Sequence, residues 1–167
     1  AALALEPDIV SVVIGVNDTL RYTFDIHAVA ERLDTVYAAF RAREATVLTA
    51  CLPDPGSMLG LPGALARPLA RRQHAVNAVV HALSKRHGAM HLHAAEEEWI
   101  EDRAVWSADR LHPGELGHRQ LALRFHALLT ALQRRNITLD TLAREAKSED
   151  LKQQLTALDA LFSAAAQ

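Results

Sequence analysis

The sequence predicts an α/β domain built on a parallel sheet, and three observations carry that expectation. Short β-branched apolar runs alternate with longer segments of helical periodicity, in the order strand, helix, strand, helix, strand, helix. Gly, Pro or Asp marks most of the junctions. The chain has 167 residues, half of them apolar, which suits one domain with a sizeable core.

Each element has its own justification. Ile9 to Ile14 is a nearly continuous apolar run between Pro7-Asp8 and Gly15, which reads as a parallel strand apolar on both faces. From Asp25 to Arg43 the residues Ile26, Val29, Ala30, Leu33, Val36, Tyr37 and Phe40 make one apolar stripe, so a helix is expected there. Ala45 to Ala50 reads as the second strand. Leu52 to Gly63 holds three Pro and three Gly and reads as an irregular loop. A helix from Leu65 to His87 ends at Gly88, which is able to close it in the left-handed conformation. Ala89 to His93 is a third short strand, and a helix from Pro113 to Gln133 has Pro at a suitable first position. Residues 1–135 are therefore assigned to the α/β domain and 136–167 to a helical tail. The tail reads as two helices broken near Ser148, with Leu151, Leu155, Leu158 and Phe162 on one stripe.

Bulk properties exclude some functions. The formal charge of -2 and the lack of a basic block argue against a nucleic-acid surface. No apolar run approaches the ~18 residues of a membrane span. The single cysteine, Cys51, makes no internal disulfide, so the fold does not depend on an oxidising compartment and a cytoplasmic location is preferred. No cofactor or metal is expected. His91 and His93 share a strand face, as metal ligands sometimes do, but no third ligand stands at an evident spacing. Glu96 to Glu98 reads as a solvated turn or helix start, His74 and His81 as surface or rim residues, and Trp99 and Trp106 as core, with the wall of an acyl pocket as their second reading.

Chemistry in a parallel sheet collects at the carboxyl ends of the strands. Two segments fall there. Gly15-Val-Asn17-Asp18 follows the first strand, and the segment through His112 follows the third. Asp109 stands three residues before His112 on a turn entering a helix, close enough to hold one imidazole nitrogen and leave the other free to take a hydroxyl proton. Asn17 offers an amide able to donate to a developing oxyanion, and Gly15 lets the backbone turn closely or approach a ligand.

The segments Pro7 to Arg21 and Trp106 to Ala122 together resemble the third and fifth conserved blocks of the SGNH, or GDSL, hydrolases. The resemblance implies a three-layer α/β/α fold with a flavodoxin-like sheet and ester hydrolysis through an acyl-enzyme. It implies His112 as base, Asp109 as its orienting acid and Asn17 as oxyanion donor. Gly15 matches the Gly two before that Asn, Gly117-His118 the pair in the helix that follows, and Asn77 an Asn of the penultimate helix. The family's first block, with the nucleophilic Ser, and its second block have no counterpart here. The resemblance thus implies a domain incomplete at its N-terminus, the nucleophile lying on a segment outside this sequence. Of the six serines only Ser57, in the loop after the second strand, stands where it faces such a site. The substrate is expected to be a small-molecule ester. The expected partner is the absent N-terminal segment or a second copy of the chain. The competing reading is a non-catalytic remnant of the fold that binds or oligomerises through its tail helices.

Overall fold

The computed structural model describes residues 2–145. The chain divides into two compact units, Ala1–Phe125 and His126–Gln167. The second is helical through Glu145, and the expected break at Ser148 and the Leu151–Phe162 stripe lie outside the described residues.

The first unit is an α/β fold on a three-stranded parallel sheet of order β1-β2-β3, with β1 at Ile9–Val12, β2 at Thr46–Ala50 and β3 at Met90–Leu92. The register pairs Val10 with Val47, Val12 with Thr49, and Thr49 with His91. Two crossover helices connect the strands, α2 (Ile26–Arg41) after the short α1 (Val16–Thr19), and α4 (Gly63–His87) after the short α3 (Pro55–Met58). Strand residues alternate between faces. Val10, Val12 and Val47 therefore point to one side, where they meet Leu33, Tyr37 and Phe40 of α2 and Val76, Val80 and Leu83 of α4 in a single core. Each such side chain contributes about 1.5–3 kcal/mol when fully buried. Asp25 caps α2 by accepting from the His27 and Ala28 amides, and Gly88 closes α4 at φ 60°. A 2.6 Å contact between His87 Nε2 and Asp34 ties the end of α4 to α2. That bond, chiefly, holds the Asp34 carboxyl below its ordinary range.

Three elements depart from the sequence expectations. β1 stops at Val12, because Val13 and Ile14 turn away to line a cavity, and among the described residues it pairs with β2 alone, which leaves Ile9 50% exposed. The helix expected from Pro113 begins at Glu115 as α5 (Glu115–Glu145), because Pro113 is held extended in a bridge with Trp106. Within Leu52 to Gly63 the loop contains α3, capped by the Asp54 carboxylate.

Candidate active site

The carboxyl ends of the strands carry a cavity of about 380 Å³ with mainly apolar walls, and Gly15, Asn17 and His112 all line it. The fold thus brings together two segments that are far apart in sequence. Gly15, at φ 127°, is the pivot between β1 and α1. A Cβ on it would stand 2.5 Å from Val76 Cγ1 of α4, so only glycine lets α1 seat there. Arg72 of α4 fastens the same turn from outside, donating to the Thr19 and Arg21 carbonyls at 2.9 and 3.1 Å. Asn17 is exposed on the first turn of α1, and its side-chain amide has no hydrogen-bond partner among the described residues. It is free to donate to a bound molecule.

The Ser107–His112 loop is closed on itself. Ser107 N–H donates to the His112 carbonyl at 2.8 Å, and Arg110 adopts a left-handed φ of 59° between Asp109 and Leu111. Gly117 lets the start of α5 close against this loop's base, since a Cβ there would collide with the Val105 carbonyl. Inside the loop, Asp109 Oδ2 lies 2.6 Å from His112 Nδ1. Its other oxygen accepts from Ser107 Oγ at 2.6 Å and from the Leu111 and His112 amides at 2.9 and 3.0 Å. The His112 amide, the Ser107 hydroxyl and the His112 ring together hold the Asp109 carboxyl well below the usual carboxylate range. A permanent carboxylate keeps the proton on Nδ1 and leaves Nε2 as the acceptor.

Other candidates are placed differently from expectation. Ser57 sits exposed on α3 and lines a separate cavity with Gln73, His74 and Asn77, while its neighbour Met58 reaches the His112 cavity. Among the described residues no serine hydroxyl hydrogen-bonds His112. Trp99 and Trp106, expected in the core, are half-buried and wall the His112 cavity. Trp106 is fixed by a 2.9 Å bond from its indole N–H to the Ile100 carbonyl, and Trp99 lies under Arg124. Asn77 clasps the backbone of Leu52, donating to its carbonyl at 2.8 Å and accepting from its amide at 3.0 Å, and so fixes the exit of β2 beside the cavity. His81, expected at the rim, has a buried Nε2 and packs its ring against His91 and His93. Among the described residues no helix is long and apolar enough to cross a membrane.

Comparison with known proteins is consistent with this geometry. Residues 1–120 match the model of the GDSL-like lipase/acylhydrolase family. A lipase/acylhydrolase from Enterococcus faecalis is similar in structure, with 20% identity, 76% of this chain and 61% of that one covered, and a TM-score of 0.57. The acetylxylan esterase Axe2 from Geobacillus stearothermophilus gives 22% identity, 75% and 61% coverage, and a TM-score of 0.59. TesA gives 22% identity, 78% and 67% coverage, and a TM-score of 0.60. At these identities the likeness establishes the fold. The chain spans 61% of the length of the first two. No curated protein sequence matches it.

Proposed function

The chain belongs to the GDSL-like lipase/acylhydrolase family, and from that premise we propose that it carries the base, the orienting acid and an oxyanion donor of an ester hydrolase. The observation that supports this most is the 2.6 Å contact between Asp109 and His112 at the mouth of the cavity that Asn17 also lines. His112 Nε2 takes the proton of a serine as that serine attacks the ester carbonyl. It then returns the proton to the departing alcohol, and the acyl-enzyme is hydrolysed by a water activated in the same way. Asn17 donates to the carbonyl oxygen as it becomes negative. The walls around Trp99, Trp106 and Leu111 suit an apolar acyl group. The nucleophilic serine comes from residues outside this sequence.

A fluorophosphonate probe tests the last point, since it marks only an activated serine. The 167-residue chain is expected to remain unlabelled and to hydrolyse p-nitrophenyl acetate no faster than free imidazole. A longer protein that adds the preceding reading frame is expected to label and turn over. Labelling of the short chain at Ser57 or Ser107 would overturn the proposal.

A further inference from the structure

A second constellation lies on the helix-covered face of the sheet, and it is independent of the ester-hydrolase reading. Strand alternation builds it. Thr49 and Cys51 leave β2 toward α4, and their register partners place His91 and His93 beside them on β3 and its exit. His81, on α4 one turn before Ser84, faces the same spot. The three rings stand edge to face with centroids 4.3–4.9 Å apart. One ligand atom from each of Cys51, His81, His91 and His93 falls within 4.8 Å of the others.

Imidazoles rarely crowd in this way for packing alone, and two buried atoms here are left unpaired. Nε2 of His81 and Nε2 of His91 have no hydrogen-bond partner among the described residues. A buried nitrogen without a partner costs about 1–3 kcal/mol, so a pair of them facing a thiol calls for a ligand. The neighbours are arranged as a metal's surroundings usually are. His91 Nδ1 lies 2.8 Å from Thr49 Oγ1, which lies 2.7 Å from Ser84 Oγ. With Nδ1–H donating to Thr49 and Thr49 donating to Ser84, Nε2 of His91 keeps a free lone pair. Cys51 Sγ accepts from the Ala95 amide at 3.4 Å, and its thiol donates to the Leu92 carbonyl at 3.7 Å. His93 is the open side, with 53% of its side chain exposed, and it gives a cation a route in.

We infer that Cys51, His81, His91 and His93 bind one Zn²⁺ in a closed, structural tetrahedron. Four protein ligands leave no position for a substrate, and a mixed thiolate and imidazole set suits zinc over the hard cations. Bonds of about 2.0–2.3 Å bring tetrahedral ligands to roughly 3.5 Å from one another, so side-chain rotations, led by exposed His93, close the site. The thiol proton leaves to solvent as the bond forms. The ion would join the exits of β2 and β3 to α4. It would also anchor the residue before Ala94, which lines the His112 cavity.

Cobalt tests this on the full chain after dialysis against chelator. Equimolar Co²⁺ is expected to give tetrahedral ligand-field bands and a thiolate-to-cobalt charge-transfer band, both erased by Zn²⁺. Gel filtration should leave one zinc per chain, and zinc should raise the melting temperature. Cys51→Ser should lose the charge-transfer band, and Thr49→Val should bind about 10–100-fold more weakly. Should a buried variant fail to fold, His93→Ala, at an exposed position, decides. It is expected to keep the native circular dichroism and to lose both the tight zinc and the thermal shift. His74→Ala, away from the cluster, should behave as the parent does. Absence of the charge-transfer band in the parent, or zinc binding undiminished in His93→Ala, would overturn the site.

Discussion

Asp109 and His112 show how much a single residue's surroundings decide. The carboxylate has four hydrogen-bond donors, all of them within three residues in sequence and fixed by the same loop. Such a group is recognisable from sequence because its partners are local. The roles differ, and so should the costs. In a catalytically complete protein, His112→Ala is expected to lower kcat by several orders of magnitude, since the proton acceptor is gone. Asp109→Asn keeps the loop's shape but presents an amide to Nδ1 and favours the wrong tautomer. Its loss should be somewhat smaller but still about 10⁴-fold at most. Asn17→Ala should cost about 10²–10³-fold in kcat with little change in KM, because its donation strengthens only as charge develops. Steady-state kinetics on a p-nitrophenyl ester checks all three, and equal activity in the variants would remove these roles. The tryptophans and His81 were illegible by contrast. Their neighbours come from other elements, and the apolar size of Trp99 and Trp106 suits a core and a pocket wall equally. A signal for the histidine cluster was present nonetheless. Cys51 and His93 each stand one residue beyond adjacent parallel strands, which places both on one edge of the sheet.

Among the elements, α2 illustrates how a stripe becomes a core and what the stripe leaves unsatisfied. Its periodicity was legible because Val29, Leu33, Tyr37 and Phe40 all enter one core with Val47, Val76, Val80 and Leu83. Strand lengths were less legible, since the run Ile9 to Ile14 does not reveal where pairing gives way to cavity wall. Within that core Tyr37 is 0% exposed, and its hydroxyl has no hydrogen-bond partner among the described residues. Burial pushes its phenol up to about 12 from 10.0. The folded value is raised above the unfolded one, so the associated stability is fully present below about pH 10 and is lost as pH rises toward 12. The loss is of the order of 2 kcal/mol. Tyr37→Phe removes both the orphan hydroxyl and its titration. At pH 7 it is expected to leave stability unchanged or to raise it by about 1 kcal/mol, and to flatten the decline above pH 10. Urea unfolding at pH 7, 10 and 11 measures this. A variant less stable by more than about 1 kcal/mol at pH 7 would mean that the hydroxyl has a partner.

At the scale of the whole molecule the open question is what meets the outer edge of β1. Parallel sheets are normally covered on both faces and paired at their interior strands. Here β1 pairs only with β2 among the described residues, and Ile9 is half exposed on a short strand that lacks the charges or proline by which edges are usually protected. The solved structures that resemble this chain are longer than it. We propose that the edge takes a further strand, supplied by family sequence outside these residues or, in its absence, by a second copy of the chain. A strand adds main-chain hydrogen bonds along β1 and covers Ile9 in one step, whereas a helix laid on the face would leave the outward amides unpaired. The 167-residue chain is therefore expected to self-associate as its concentration rises. Light scattering should show the growth, and hydrogen exchange should show the outward-facing β1 amides slowing with it while those of β2 stay slow throughout. Ser11→Pro, placed at an exposed position of the edge strand, should weaken self-association if its N–H faces outward. A chain that stays monodisperse and monomeric at all concentrations, with the β1 amides already protected, would show that the edge is satisfied within the chain itself.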